Sequence, residues 1–204
     1  MTFTLKQIDA AVSHLRRNDS VMRLVIRRVG PFTLKPRRDR FGTLVRSIIS
    51  KQISTHAARS IRTKLEALVP GRRFTAEKLV ALPIDELRSA GLSGQKVRYI
   101  LDLSHRVLGG ELPLGTIGRL SDEAAIEQLV EVKGIGRWTA QMFLIFSLGR
   151  LDVFPHDDLG IRTALRNLYD LDDLPDKAAA HAVAELWRPY ATVASWYCWR
   201  SGDL

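Results

Sequence analysis

Two adjacent aspartates, Asp157 and Asp158, end the run Asp152-Val153-Phe154-Pro155-His156-Asp157-Asp158, just before a helical pattern that starts near Leu159. A carboxylate there stays ionised if N–H donors of the helix start favour its charged form. It can then oppose positive charge developing on a bound partner, or orient an attacking water. Both aspartates equally suit a structural role, capping the helix and complementing its dipole. His156 is a further candidate for direct chemistry by its place beside Asp157. The other histidines, His14, His56, His105 and His181, fall in unrelated predicted elements without close pairing, which argues against a metal hydrolase.

A second run with chemical potential is Leu129-Val130-Glu131-Val132-Lys133-Gly134-Ile135-Gly136-Arg137-Trp138-Thr139-Ala140. A helix ends in a Gly-x-Gly turn and another begins at once. Two glycines permit a turn that side chains would obstruct, and the unsatisfied N–H groups opening the second helix can receive a phosphate. Gly134 and Gly136 could also do no more than join two packed helices.

The elements that hold these runs are helical throughout. Apolar residues recur every three or four positions, as in Leu5, Ile8, Val12, Leu15 and in Phe41, Leu44, Val45, Ile48, Ile49, with no sustained alternation of period two. The pattern predicts an all-α chain with helices near 4–17, 19–29, 39–51, 54–69, 75–82, 84–90, 94–108, 121–131, 136–148, 158–169, 176–187 and 190–201. Asp19, Ser93 and Ser121 are expected as N-caps, and Gly91, Gly109-Gly110 and Gly149 as left-handed termini. The loops at 30–36 and 151–155 are candidate lobe boundaries.

The chain has 204 residues and a formal charge of +9. Residues 1–73 carry 17 basic against 4 acidic side chains, and residues 74–204 carry 14 against 18. This polarised excess suits a polyanionic partner, although a solvated basic face explains the charge equally well. The one cysteine, Cys198, rules out an intramolecular disulfide and a four-cysteine zinc or iron–sulfur site from this chain, and reads as a small buried residue. No apolar run approaches the roughly 18 residues of a membrane span, and Met1–Lys6 lacks the features of a leader. A cytoplasmic, nucleoid-associated location is the expectation.

The Gly-x-Gly hairpin, with Leu129, Val132 and Ile135 around it and Thr139-Ala140 after it, resembles the helix-hairpin-helix element of DNA repair proteins. With Pro155-His156-Asp157-Asp158 about twenty residues on, the chain resembles the helix-hairpin-helix DNA glycosylase superfamily. Three further segments make it most similar to the alkylation-repair branch typified by DNA-3-methyladenine glycosylase II. They are Ile48-Ile49-Ser50-Lys51-Gln52-Ile53-Ser54, Gly91-Leu92-Ser93-Gly94-Gln95-Lys96, and Trp187-Arg188-Pro189-Tyr190 through Trp199-Arg200.

The resemblance implies two helical lobes with a DNA-binding cleft: a terminal lobe from 1–39 and 151–204, and a central lobe of 40–150. It makes Asp158 the catalytic residue, Trp138 and Trp199 the base-stacking faces, and Gln52 the wedge that fills the gap left by an everted nucleotide. Met142 stands where a third aromatic can occur. Lys96, Gly134, Ile135, Gly136, Arg137 and Thr139 are implied as DNA contacts. The carbonyls of Val130, Val132 and Ile135 are implied as a monovalent-cation site for Na or K, with no other cofactor.

Strand-cutting relatives carry a lysine where this chain has Trp138, so the resemblance implies a monofunctional enzyme acting on duplex DNA. The implied substrates are alkylated purines, 3-methyladenine and 7-methylguanine. The β-rich N-terminal domain of the longer branch member is expected to be absent, and the protein to act as a monomer. Arg37, Arg38, Arg40, Arg46, Lys51 and Arg59 would flank the wedge. Roughly four phosphate contacts would give a salt slope of about −3 to −4. Two rivals stay open: a glycosylase for deaminated or oxidised bases, which Met142 and Gln52 permit, and a non-catalytic DNA-binding module in which Asp158 only caps a helix.

Overall fold

The computed structural model describes residues 3–202. Twelve α-helices follow in order: α1 (Leu5–Asn18), α2 (Ser20–Val29), α3 (Arg40–Ser50), α4 (Thr55–Leu68), α5 (Ala76–Val80), α6 (Ile84–Ser89), α7 (Gly94–Leu108), α8 (Asp122–Val130), α9 (Arg137–Phe143), α10 (Leu159–Leu168), α11 (Lys177–Ala184) and α12 (Ala191–Ser201). There is no strand among the described residues. Each helix sits where the apolar spacing predicts it. The caps explain the start points: the side chains of Asp19, Ser93 and Ser121 each accept a backbone N–H from the first turn of α2, α7 and α8. Gly91, Gly110 and Gly149 are left-handed as expected. Gly109 is not; it ends α7 with right-handed backbone, and Gly110 makes the turn.

The chain forms two compact units. One comprises residues 37–143. Within it α7 packs against α3, α5 and α6, while α9 packs against α3 and α8. Leu44, Ile48, Leu65, Ile100, Leu103 and Leu129 are fully buried in this unit.

The other unit joins residues 1–36 to 144–204. Here α2 and α10 both pack on α12, and α1 packs on α2 and α12. Its core is organised around a buried carboxylate. Asp19 caps α2 through Val21 and Met22 N–H at 2.9 and 3.0 Å, and also accepts from the Trp187 indole at 2.9 Å and the Tyr169 hydroxyl. Four donors offset the cost of burying that charge. Burial, then the hydrogen bond to Asp19, pushes the Tyr169 hydroxyl far above its ordinary pKa. Cys198 is buried as expected, and burial raises its thiol pKa as well.

The sequence puts the junctions at 39/40 and 150/151, whereas the units meet at 36/37 and 143/144. The second meeting point falls inside what the periodicity reads as one helix over 136–148. There α9 runs directly into a π-helical turn, Leu144–Leu148.

Candidate active site

Asp158 is the N-cap of α10. Its Oδ1 accepts the Ile161 N–H at 2.9 Å, as a capping aspartate would. The same oxygen accepts the Trp199 indole N–H at 2.9 Å, an arrangement that capping does not require. Two N–H donors on one carboxylate oxygen fix its direction. Trp199 is fixed in turn: its ring stacks on Phe146 with centroids 5.7 Å apart and planes 26° from parallel. One face of Trp199 is therefore taken by Phe146, a residue the sequence reading missed. Counting one turn from Trp138 leads to Met142, and the π-helical turn that begins at Leu144 displaces the ordinary spacing after it.

Gly160 was also missed. A Cβ there would lie 3.1 Å from Asp158 Oδ1 and 3.2 Å from the Trp199 ring, so a glycine leaves room for the bond between them. A groove of about 380 Å³ has Leu159, Gly160, Thr163 and Trp199 among its walls, without Asp158. Asp158 itself is half-buried.

The second aspartate behaves differently. The side chain of Asp157 is 66% exposed, 3.3 Å from His156 Nε2. The sequence separates His156 from His181, yet the structure brings their rings to 5.0 Å. Burial, and then the neighbouring His156, lower the pKa of His181. Among the described residues no group of three or more His, Cys, Asp or Glu side chains is placed to hold a metal ion.

In the unit 37–143, the hairpin between α8 and α9 treats its two glycines differently. Gly134 has φ +85°, and a Cβ there would come within 2.2 Å of the Tyr99 ring. The fold itself demands that glycine. Gly136 has no positive φ, and a Cβ on it would meet nothing within 4 Å. Its own protein gives no reason for a bare backbone, which leaves open space for an incoming group. Trp138 lies in the first turn of α9 with 44% of its surface exposed. Met142 is partly buried on the same helix. Thr139, expected at the DNA, is instead buried inside the unit, as is the Ile135 side chain, which leaves only the Ile135 backbone to face a ligand.

Gln52 is exposed and stands in a turn after α3 with φ +57°. The cations around it are largely engaged within the protein. The Arg40 guanidinium donates to the carbonyls of Leu114 and Gly115, and Arg46 pairs with Asp39 at 2.8 Å. Lys51 Nζ donates to the Gly134 carbonyl at 2.8 Å, and Lys96 Nζ to the Ile49 carbonyl at 2.6 Å. Arg137 makes a two-pronged bond to Glu123, both contacts 2.6 Å, which holds the Glu123 carboxyl below its ordinary pKa. Arg37, Arg38 and Arg59 are the exposed members of the basic cluster. Charge was legible in the sequence; the acceptors that occupy it were not.

Two more residues of α7 shape the hairpin. Tyr99 packs under Gly134, and Asp102 accepts the Lys133 N–H at 2.9 Å. Their spacing of three from Lys96 is the signal that could have revealed them.

The model of the HhH-GPD superfamily of base excision DNA repair proteins matches residues 45–189. Over 202 residues the chain is 33% identical to DNA-3-methyladenine glycosylase 1 of Schizosaccharomyces pombe, covering 97% of this chain and 89% of that protein. The solved structure of the S. pombe 3-methyladenine DNA glycosylase in complex with abasic DNA matches with a TM-score of 0.85 at 33% identity, over 96% of this chain and 97% of that one. A DNA-3-methyladenine glycosidase from Bacillus halodurans matches with a TM-score of 0.87 at 34% identity, over 94% and 88%. The all-α fold, the Gly-x-Gly hairpin and these matches converge: the chain belongs to the HhH-GPD superfamily of base excision DNA repair proteins.

Proposed function

We propose that this protein is a monofunctional DNA glycosylase, hydrolysing the N-glycosidic bond of an alkylated purine in duplex DNA and leaving an abasic site. One observation carries the reading: Asp158 Oδ1 receives both a helix-start N–H and the Trp199 indole N–H. As the bond from C1′ to the base lengthens, positive charge gathers on the sugar, and a fixed carboxylate stabilises it. The base leaves with the bonding electron pair, and water adds to C1′ and loses its proton. A purine methylated at N3 or N7 is already cationic and departs neutral, so no general acid is required, unlike paired-carboxylate glycosidases.

Trp138 offers an exposed aromatic face to such a cationic base and has no amine with which to attack the sugar. The open space at Gly136 admits a phosphate close to the backbone. The carbonyls of Val130, Val132 and Ile135 are neutral oxygen donors, a set that suits Na or K, and Val130 ends α8, where carbonyls lack helical partners. An ion bound there adds positive charge beside a phosphate. The partner is duplex DNA, and among the described residues no helix is long and apolar enough to cross a membrane.

The test is product analysis on methylated duplex DNA. Free 3-methyladenine or 7-methylguanine is expected, with strands intact until alkali is added. Failure to release either base, while a deaminated or oxidised base is released, would shift the substrate class. Trapping of a protein–DNA adduct by borohydride would overturn the monofunctional reading.

A further inference from the structure

We infer that Lys51 and Lys96 are positioning residues that pin the Gln52 turn to the hairpin, and that neither serves as a phosphate contact. The inference rests on the glycosylase reading above, in which Gln52 fills the void left by an everted nucleotide.

Lys96 lies in the first turn of α7, where a positive charge opposes the dipole of its own helix. Its ammonium instead reaches the Ile49 carbonyl, in the last turn of α3, at 2.6 Å. Carbonyls there have no helical partner, and a cation suits that end. Lys96 thus serves the terminus of another helix.

Lys51 follows α3 directly and donates to the Gly134 carbonyl, 83 positions away, at 2.8 Å. Immediately after it stands Gln52 with φ +57°. A residue bearing a Cβ persists in that region where its surroundings hold it. The two ammonium groups supply such a hold, one on the helix before the turn and one on the hairpin. The same face of α7 sets the hairpin too: Lys96, Tyr99 and Asp102, three residues apart, meet Ile49, Gly134 and Lys133 respectively. One helix therefore gauges the distance between the wedge turn and the phosphate-binding turn.

A lysine that contacts phosphate and one that positions a wedge differ in what their loss changes. Removing a phosphate contact makes the salt dependence of binding shallower by about one unit of slope and leaves eversion to the remaining residues. Removing a positioning lysine leaves the slope alone and impairs eversion.

The experiment uses the full chain with a duplex carrying one alkylated purine next to 2-aminopurine, whose fluorescence rises when its neighbour leaves the stack. Lys51→Met and Lys96→Met are compared with wild type for salt slope, fluorescence rise and single-turnover excision. Each is then repeated with Gln52→Ala. The expected result is an unchanged slope with eversion and excision each slowed about ten-fold, and no further loss from either lysine once Gln52 is alanine. Lys51→Arg and Lys96→Arg, which keep a donor, are expected to recover most of the rate; if a Met variant unfolds, Lys51→Gln and Lys96→Gln, which remove the charge and are too short to reach the same carbonyls, carry the same measurements. A slope shallower by about one with normal eversion, or the same ten-fold loss in the Gln52→Ala background, overturns the inference. Absence of eversion and excision in the wild type would instead refute the glycosylase reading itself.

Discussion

The carboxylate end of α10 and the Gly-x-Gly hairpin solve opposite problems. Around Asp158 the partners beyond the helix-start N–H of Ile161 are side chains or space left for them: Trp199 donates to the carboxylate, Phe146 backs Trp199, and Gly160 keeps clear of both. At the hairpin the open position, Gly136, is bare backbone, and the side chains of Tyr99, Asp102 and Lys51 meet the turn at Gly134 and Lys133. A charge that must act on one bond needs a fixed direction, which side-chain hydrogen bonds supply. A phosphate recognised without regard to sequence needs close approach, which bare backbone supplies. Substitutions in the first region should alter the chemical step, and those in the second the affinity.

The largest break is expected from Asp158→Asn. It keeps the shape and can still cap α10, but removes the charge. Single-turnover base release should fall by about 10²–10³-fold or more, with affinity for abasic duplex within about two-fold of wild type. Undiminished release would reduce Asp158 to a helix cap.

Trp199→Phe sharpens the same side. It retains a ring against Phe146 and loses only the N–H to Asp158. A hydrogen bond to a charged group contributes about 1.5–3 kcal/mol, so kcat should fall roughly ten- to hundred-fold with KM little changed. A rise in KM at constant kcat would mean that Trp199 acts mainly by stacking on the base.

The paired alanines Gly134→Ala and Gly136→Ala separate folding from binding on the other side. The first forces a Cβ into Tyr99 at positive φ and should destabilise the protein by about 1–3 kcal/mol in denaturant unfolding. The second meets open space, so it should leave stability unchanged or raise it by about 0.4–1 kcal/mol. Its affinity for DNA should nevertheless drop about ten-fold. Equal effects of both on stability would erase the distinction between the glycines.

The smallest effect concerns pH. Burial lowers the His181 pKa in the folded protein, so the unfolded chain binds the proton first as pH falls. This contribution is fully present above the ordinary histidine value of about 6.5 and is lost as pH drops through the folded value. Unfolding midpoints between pH 7.5 and 5 should decline less steeply in His181→Gln than in wild type.

Much of this arrangement is legible in the sequence because it is local. The period of 3.6 locates all twelve helices, and Asp19, Ser93 and Ser121 announce their caps. Asp158 is visible as a carboxylate at a helix start, and Gly134 and Gly136 as a turn. What is not legible is partnership. Lys96 and Arg137 read as cations awaiting phosphate because the Ile49 carbonyl and Glu123 lie far off in sequence. His156 and His181 meet only in three dimensions. Phe146 is hidden by the π-helical turn, which breaks the period used to look for it. Thr139 reads as part of a binding motif although helix geometry turns it inward.

The division of labour can be tested in one measurement: single-turnover excision at saturating protein together with the dissociation constant for abasic duplex, for Asp158→Asn and Gly136→Ala side by side. Asp158→Asn is expected to lower the rate at unchanged affinity, and Gly136→Ala to weaken affinity at unchanged saturated rate. A saturated rate preserved in Asp158→Asn, or lost in Gly136→Ala, would contradict this division.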